Sequence, residues 1–308
     1  HALFANAKAM EIAGIGPLNQ ELGGKREITG GEVIRDRNGN PTGIFNENAM
    51  DLISKHIPES SEENDLLAFN LAQEACLRNG ITSFHDAGVG RETLAFYQKM
   101  EASGKLKIRM YAMLNGNDNA LLKEWYEKGP KTDPWLSIRS IKLSADGALG
   151  SRGAWLLEEY SDRHGHYGHE TIPMEMVFKT AINSIKYGFQ LAIHAIGDRA
   201  NREVLDQYEK ALSEKNALNA DHRFRIEHAQ HLHPDDIPRF ASLGVIPSMQ
   251  AIHLSSDRPW AIDRLGADRI KDGAYMWQAL LASGIPVING TDVPVEPLSP
   301  MANFYASV

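Results

Sequence analysis

One repeated order narrows the fold of this chain more than any other feature: a short apolar run followed by an amphipathic helical segment. The runs are ITSFHDAG (81–88), KIRMYAML (107–114), SIRSIKLSADG (137–147), QLAIHAIGD (190–198), RFRIEHAQ (223–230), GVIPSMQ (244–250) and PVINGTDVPV (286–295). Helical spacing follows each of the first six, and Asp198 stands where it would cap the helix after QLAIHAIGD. Alternation of this kind implies a parallel sheet covered by helices. A doubly wound sheet can hold seven strands, whereas a barrel needs one more. None of the runs is followed by GxGxxG, so a dinucleotide-binding sheet has no support. The fold class expected is α/β of (β/α)8 TIM-barrel type, incomplete, with seven β/α units.

Residues 1–63 lack that rhythm. ALFANAKAMEIAG has helical spacing through Leu3, Ala7, Met10 and Ala13, and GEVIRDRNGNPTGIFNE reads as a hairpin around a turn-rich NGNPTG. These residues are expected to form a helix and hairpin insertion, with the barrel occupying 64–308. The chain opens on HALFANAKAM with neither an initiator methionine nor a signal-peptide pattern, and both ends read as cuts. Its net charge of −8 argues against nucleic acid or an anionic membrane as partner and leaves small molecules open. No window approaches 18 consecutive apolar residues. The single cysteine, Cys76, excludes an intrachain disulfide and fits a reducing, cytoplasmic setting. It is read as inert packing on the apolar side of a helix.

In a parallel barrel, chemistry gathers at the C-terminal ends of the strands. Those ends supply His85 and Asp86, Lys142 and Asp146, His194, His228, and Asp292. Each alone has a plain explanation. A single histidine there is commonly a hydrogen-bonded structural group, an isolated Asp292 can cap a turn, and Lys142 can pair with Asp146 or Asp86. His85 and Asp86 could support a ligand from behind by hydrogen bonding, or form a turn and a helix cap. Jointly, two histidines and one aspartate at the ends of nearby apolar runs are how a zinc-type site with nitrogen and carboxylate ligands is assembled.

With ITSFHDAG, IKLSADGALGSRGA, LAIHAIGDRAN, RIEHAQ and NGTDVPVEP in this order, the chain resembles the amidohydrolase superfamily, and more closely amidohydrolase family 3, which contains N-substituted formamide deformylase. The resemblance covers about residues 80 to 300, and HALFANAKAMEIAGI fits as well. It implies a (β/α)8 barrel with a small β-sandwich and one or two metals, usually Zn2+. Lys142 would be a carbamylated lysine bridging two metals, and His194 and His228 would be ligands. Asp292 would be both ligand and general base. Gly150, Ser151 and Arg152 would lie near the substrate. The activity implied is hydrolysis of a C–N bond in a small amide or formamide. The family's HxH pair on a first strand has no counterpart here: His164 and His166 have that spacing but fall in the loop after IKLSAD. The chain therefore reads as an internal fragment lacking that strand and the β-sandwich segments. Its open sheet edges would be covered by the N-terminal segment or by a second copy.

Two other readings stay open. Lys142 could form a Schiff base, as in a class I aldolase, with Asp146 as proton shuttle. The chain could also be a folded core without activity. The long loop 151–171, with Arg152, Trp155, Tyr160, His164, His166 and Tyr167, is expected to form a lid or pocket wall. Trp260 and Trp277 are read as packing.

Overall fold

The computed structural model describes residues 1–16 and 28–308. Its N-terminal part is a three-stranded antiparallel sheet. Strand β1 (Ala2–Phe4) pairs with β3 (Pro41–Glu47), which pairs with β2 (Gly31–Arg35). The hairpin is thus as expected, but the helical spacing begins later. Leu3 faces Phe45 across the β1–β3 ladder, and helix α1 (Ala7–Ile12) starts only after Asn6, whose side chain accepts from the Ala9 N–H at 2.9 Å. A short helix α2 (Asp51–Ser54) closes this part, and Phe45, Ala49 and Ile53 form its buried core.

Helix α3 (Glu62–Arg78) leads into the larger sheet, with Ser61 as its cap and Cys76 buried in the main core. The sheet's parallel strands are β4 (Ser83–Val89), β5 (Arg109–Asn115), β7 (Leu136–Ser144), β8 (Gln190–Ala195), β9 (Arg225–His228), β10 (Ile246–Met249) and β11 (Ile288–Asn289). A two-residue strand, β6 (Lys131–Thr132), pairs antiparallel with β7. Every parallel strand lies beside its predecessor in the chain, giving the order β4-β5-β7-β8-β9-β10-β11. That order has no reversal point, so the sheet is not doubly wound. It is a curled half-barrel of seven strands, an incomplete (β/α)8 barrel. Helices α4 (Arg91–Ala102), α5 (Asn119–Lys128), α6 (Met174–Tyr187), α7 (Asp198–Glu214) and α8 (Ile237–Leu243) connect the strands as far as β10. Between β10 and β11 run α9 (Ala251–Asp257), α10 (Ala261–Leu265), α11 (Ala267–Gly273) and α12 (Trp277–Ala282), and α13 (Pro300–Tyr305) ends the chain. Among the described residues, no helix is long and apolar enough to cross a membrane.

Side-chain alternation divides the sheet into two unlike faces. Met110, Ala112, Leu114, Ile141, Leu143, Leu191, Ile193 and Ile226 belong to the main core, with apolar residues of the helices packed against them. The opposite face is polar. Strand register sets Lys142 beside Ala192, His194 beside Ser144, and Glu227 beside His194. Deeper on this face, Arg225 pairs with Glu227 at 2.7 Å and approaches Met113 and His85, and His85 stacks on Tyr111. Burial of the apolar face against the helices holds the fold together. The other face is left for chemistry.

The run 286–295 shrinks to Ile288–Asn289. Gly290 N–H makes a last bond to β10, at the Met249 carbonyl 3.0 Å away, and the chain then enters the turn at 292–295. Asp198 does not cap α7 either. Gly197 is the cap residue, and the Asp198 carboxylate accepts from Leu157 N–H of the long loop at 2.9 Å. That loop follows β7 and packs tightly on the rest of the barrel. Buried Tyr160 donates to the Ala154 carbonyl at 2.8 Å, and Arg163 makes a two-pronged ion pair with Glu32 of the N-terminal sheet. Gly168 sits at φ +84°, and a Cβ there would meet the Ala154 carbonyl oxygen at 1.9 Å. Gly168→Ala should therefore cost about 1–3 kcal/mol or more, read as a lower denaturation midpoint. An unchanged midpoint would mean that the loop is not locked in this way.

Candidate metal centre

At the C-terminal end of the polar face, three side chains converge. Among the described residues, His228, His253 and Asp292 form the group of metal-ligating side chains, each offering one donor atom within 4.8 Å of the others'. They come from three successive units: the end of β9, the start of α9, and the turn after β11.

Local backbone strain places two of them. His228 would by alternation face the helices, on the side opposite Glu227. Its φ of 77°, followed by 43° at Ala229, breaks the pleat, and its ring lies 4.4 Å from that of His194 by centroid. Asp292 has a φ of 53°. Left-handed conformations at non-glycine residues cost free energy and persist where surrounding structure enforces them. Here they coincide with the donors.

Hydrogen bonding orients both imidazoles. His228 Nδ1 is 2.7 Å from Gln250 Oε1, and His253 Nδ1 is 3.1 Å from Glu296 Oε1. Ser256 donates to the same Glu296 oxygen. With Nδ1 so engaged, Nε2 is the nitrogen left to bind an ion, the arrangement by which carboxylates and amides orient metal-binding histidines. Loss of such a partner costs about 10- to 100-fold in metal affinity, so Glu296→Gln should weaken zinc binding by that factor in a competition titration with a chromophoric chelator. Unchanged affinity would remove Glu296 from the centre.

Burial disfavours the charged form of His228 and of His194. It pushes the His228 pKa down to about 4, against an opposing pull from Asp292. It also holds His194 well below the ordinary histidine value, with the neighbouring His228 and His1 adding to the effect. A neutral imidazole is the form that binds a metal. Lys142 lies on the same face. Burial lowers its pKa, while Glu227 and Asp292 act in the opposite direction.

The other expected residues fall as follows. His194 is buried beside the trio, with Nε2 3.4 Å from Asp146 Oδ1. Asp146 is no partner for Lys142: its carboxylate accepts from the backbone N–H groups of Trp155, Ile196 and Gly197 at 2.8–3.0 Å. Burial raises its pKa to about 7 against those bonds. Asp86 accepts from Tyr97 of α4, and His85 is exposed beside Arg225, toward the edge strand of the sheet. Adjacent strand residues point to opposite faces, so the two cannot serve one site together. The Arg152 guanidinium is committed to Asp162 at 2.9–3.0 Å, and the Gly150 carbonyl accepts from Arg264. Ser151 Oγ donates to Glu47 at 3.2 Å. His164 is exposed against Glu159, and His166 bonds the Arg152 carbonyl, so this pair stands apart from the centre. The sequence reading passed over His253, three residues beyond the run GVIPSMQ, along with Gln250 and Glu296. Extending the inspection of strand ends by one helical turn would have found His253.

The sequence model of the amidohydrolase family matches residues 1–308. The chain is 32% identical over its whole length to the protein LONG AFTER FAR-RED 3 of Arabidopsis thaliana, covering 53% of that protein. It is 28% identical to the N-substituted formamide deformylase of Arthrobacter pascens, over 80% of this chain and 45% of that enzyme. A solved structure of an uncharacterized metal-dependent hydrolase from Pyrococcus furiosus superposes with a TM-score of 0.78 at 28% identity, covering all of this chain and 60% of that one. The chain spans about half the length of the curated relatives it matches. Together with the curled parallel sheet and the strand-end donors, the full-length match shows that this chain belongs to the amidohydrolase family.

Proposed function

We propose that this chain forms the metal-binding core of a hydrolase that cleaves a C–N bond in a small amide or formamide. The observation that carries the reading is the convergence of His228, His253 and Asp292, with both histidines held through Nδ1. Two imidazoles and a carboxylate fit zinc or a similar divalent ion. His194 and Lys142 lie beside them, where they could share in holding one ion or two. When bound, such an ion supplies Lewis acidity toward a carbonyl oxygen and lowers the pKa of water toward neutrality.

The chain's own residues supply the remainder. Asp292 is exposed at the mouth, where its carboxylate can accept a proton from water and return it to the leaving nitrogen. Burial favours the uncharged amine of Lys142, the form that takes up carbon dioxide as a carbamate. The family match, the formamide deformylase relative and the metal-dependent structural neighbour support this reading.

The test is amine release from N-aryl formamides and acetamides by the longest natural form of the protein. Turnover that is lost to a chelator and restored by zinc is expected. Zinc-loaded protein inert toward the whole panel, or turnover indifferent to the chelator, would contradict the reading. Borohydride trapping of a ketone on Lys142 would favour the lyase instead.

A further inference from the structure

The N-terminal sheet reaches into the mouth of the half-barrel at one point. Glu47, the last residue of β3, has φ 49° and ψ −127° and is only 4% exposed. Its carboxylate lies in the turn that follows β7, where it accepts from Ala148 N–H and Ser151 Oγ, both at 3.2 Å. Glycines make the room: a Cβ at Gly147 or Gly153 would come within 2.1 or 2.4 Å of Glu47 Oε1. The other carboxylate oxygen lies 2.7 Å from His1 Nδ1. The His1 ring stands 4.5 Å from that of His194 by centroid, and its side chain remains 34% exposed. His1, His194, His228 and His253 thus form a continuous row, with successive centroids 4.5, 4.4 and 6.2 Å apart.

A carboxylate buried this deeply, at a strained backbone position, needs a reason. Other ties already dock the sheet: Glu32 on Arg163, buried Asn46 on the Ser151 carbonyl, and exposed Asn48 on the Thr171 carbonyl. Glu47 differs because its remaining partner is a ring that lines the mouth. We propose that Glu47 is a positioning residue of the hydrolytic site, holding His1 against His194 so that His1 forms the substrate-facing wall at the β7–β8 end. The inference rests on the hydrolase reading for what the wall contacts. The placement of His1 by Glu47 can be tested without it.

The experiment compares wild type, Glu47→Ala and Glu47→Gln in the longest natural form, with histidine 15N chemical shifts, bound zinc per chain, and kinetics on an N-aryl formamide. In wild type, His1 should be protonated on Nδ1. Glu47→Ala should move the His1 and His194 ring signals, leave those of His228 and His253 in place, and leave zinc content unchanged. Glu47→Gln keeps an acceptor for His1 only by turning its NH2 toward the Ala148 N–H, so it should restore the His194 signal in part. In kinetics, Glu47→Ala should lower kcat/KM about tenfold or more, with partial recovery in Glu47→Gln. Unmoved His1 and His194 signals would overturn the proposal, as would zinc loss or unfolding in Glu47→Ala accompanied by wild-type kcat/KM in the folded fraction. If the signals move as expected but the wild type hydrolyses nothing, the hydrolase reading fails and the positioning of His1 stands.

Discussion

Replacing His228 should abolish metal binding. His228 sits between His194 and His253, its Nδ1 is taken by Gln250, and it is one of only two imidazoles in the convergent trio. Without it, His253 and Asp292 are the two donors left of the trio, and the imidazole that joins them to His194 is gone, too little for a stable site. Zinc per chain after dialysis should fall from near one to background. Catalytic efficiency should fall by more than about 100-fold, the upper end of what loss of an outer hydrogen-bond partner costs. The backbone there is left-handed at φ 77°, which asparagine tolerates better than alanine. His228→Asn should therefore keep the fold more securely than His228→Ala while losing metal equally. Full zinc content in His228→Asn would show that the ion binds elsewhere, whatever the activity.

Asp292→Asn should separate chemistry from binding. The amide preserves the size of the side chain and one oxygen, but it cannot accept a proton as the carboxylate does. We expect kcat to fall by about 10²- to 10⁴-fold, with KM changed far less. Zinc should be retained more weakly, since His228 and His253 are untouched. An unaltered kcat in zinc-saturated Asp292→Asn would transfer the role of base to another group.

Much of this was legible in the chain, and the failures have physical causes. The seven strands and their helices were readable because a buried parallel strand needs a continuous apolar run, and a helix covering it needs apolar residues at helical spacing. His194 and Asp292 were readable as residues that end such runs, where a barrel opens. His228 was readable as a strand end, but not its facing, which depends on a left-handed backbone that breaks the alternation. His253 was invisible to the same rule because a helix, one turn beyond the strand, delivers it. Asp86 obeys the alternation that His228 breaks. It follows His85 directly, and the pleat sends it outward to Tyr97. Arg152 is placed near the substrate by the resemblance alone, and its ion pair with Asp162, ten residues away, shows only in the folded loop. Glu47 and His1 were silent because only tertiary docking of the N-terminal sheet brings them to His194.

The most direct test of the metal centre is anomalous diffraction at the zinc absorption edge from crystals of the protein equilibrated with zinc. The expected peak is bounded by His228 Nε2, His253 Nε2 and the Asp292 carboxylate, at zinc–ligand distances of about 2.0–2.2 Å. A second peak between His194 and Lys142 would add a second ion to the same centre. Zinc found only at a surface pair such as His164 and Glu159, with none at the trio, would mean that His228, His253 and Asp292 are not the metal centre.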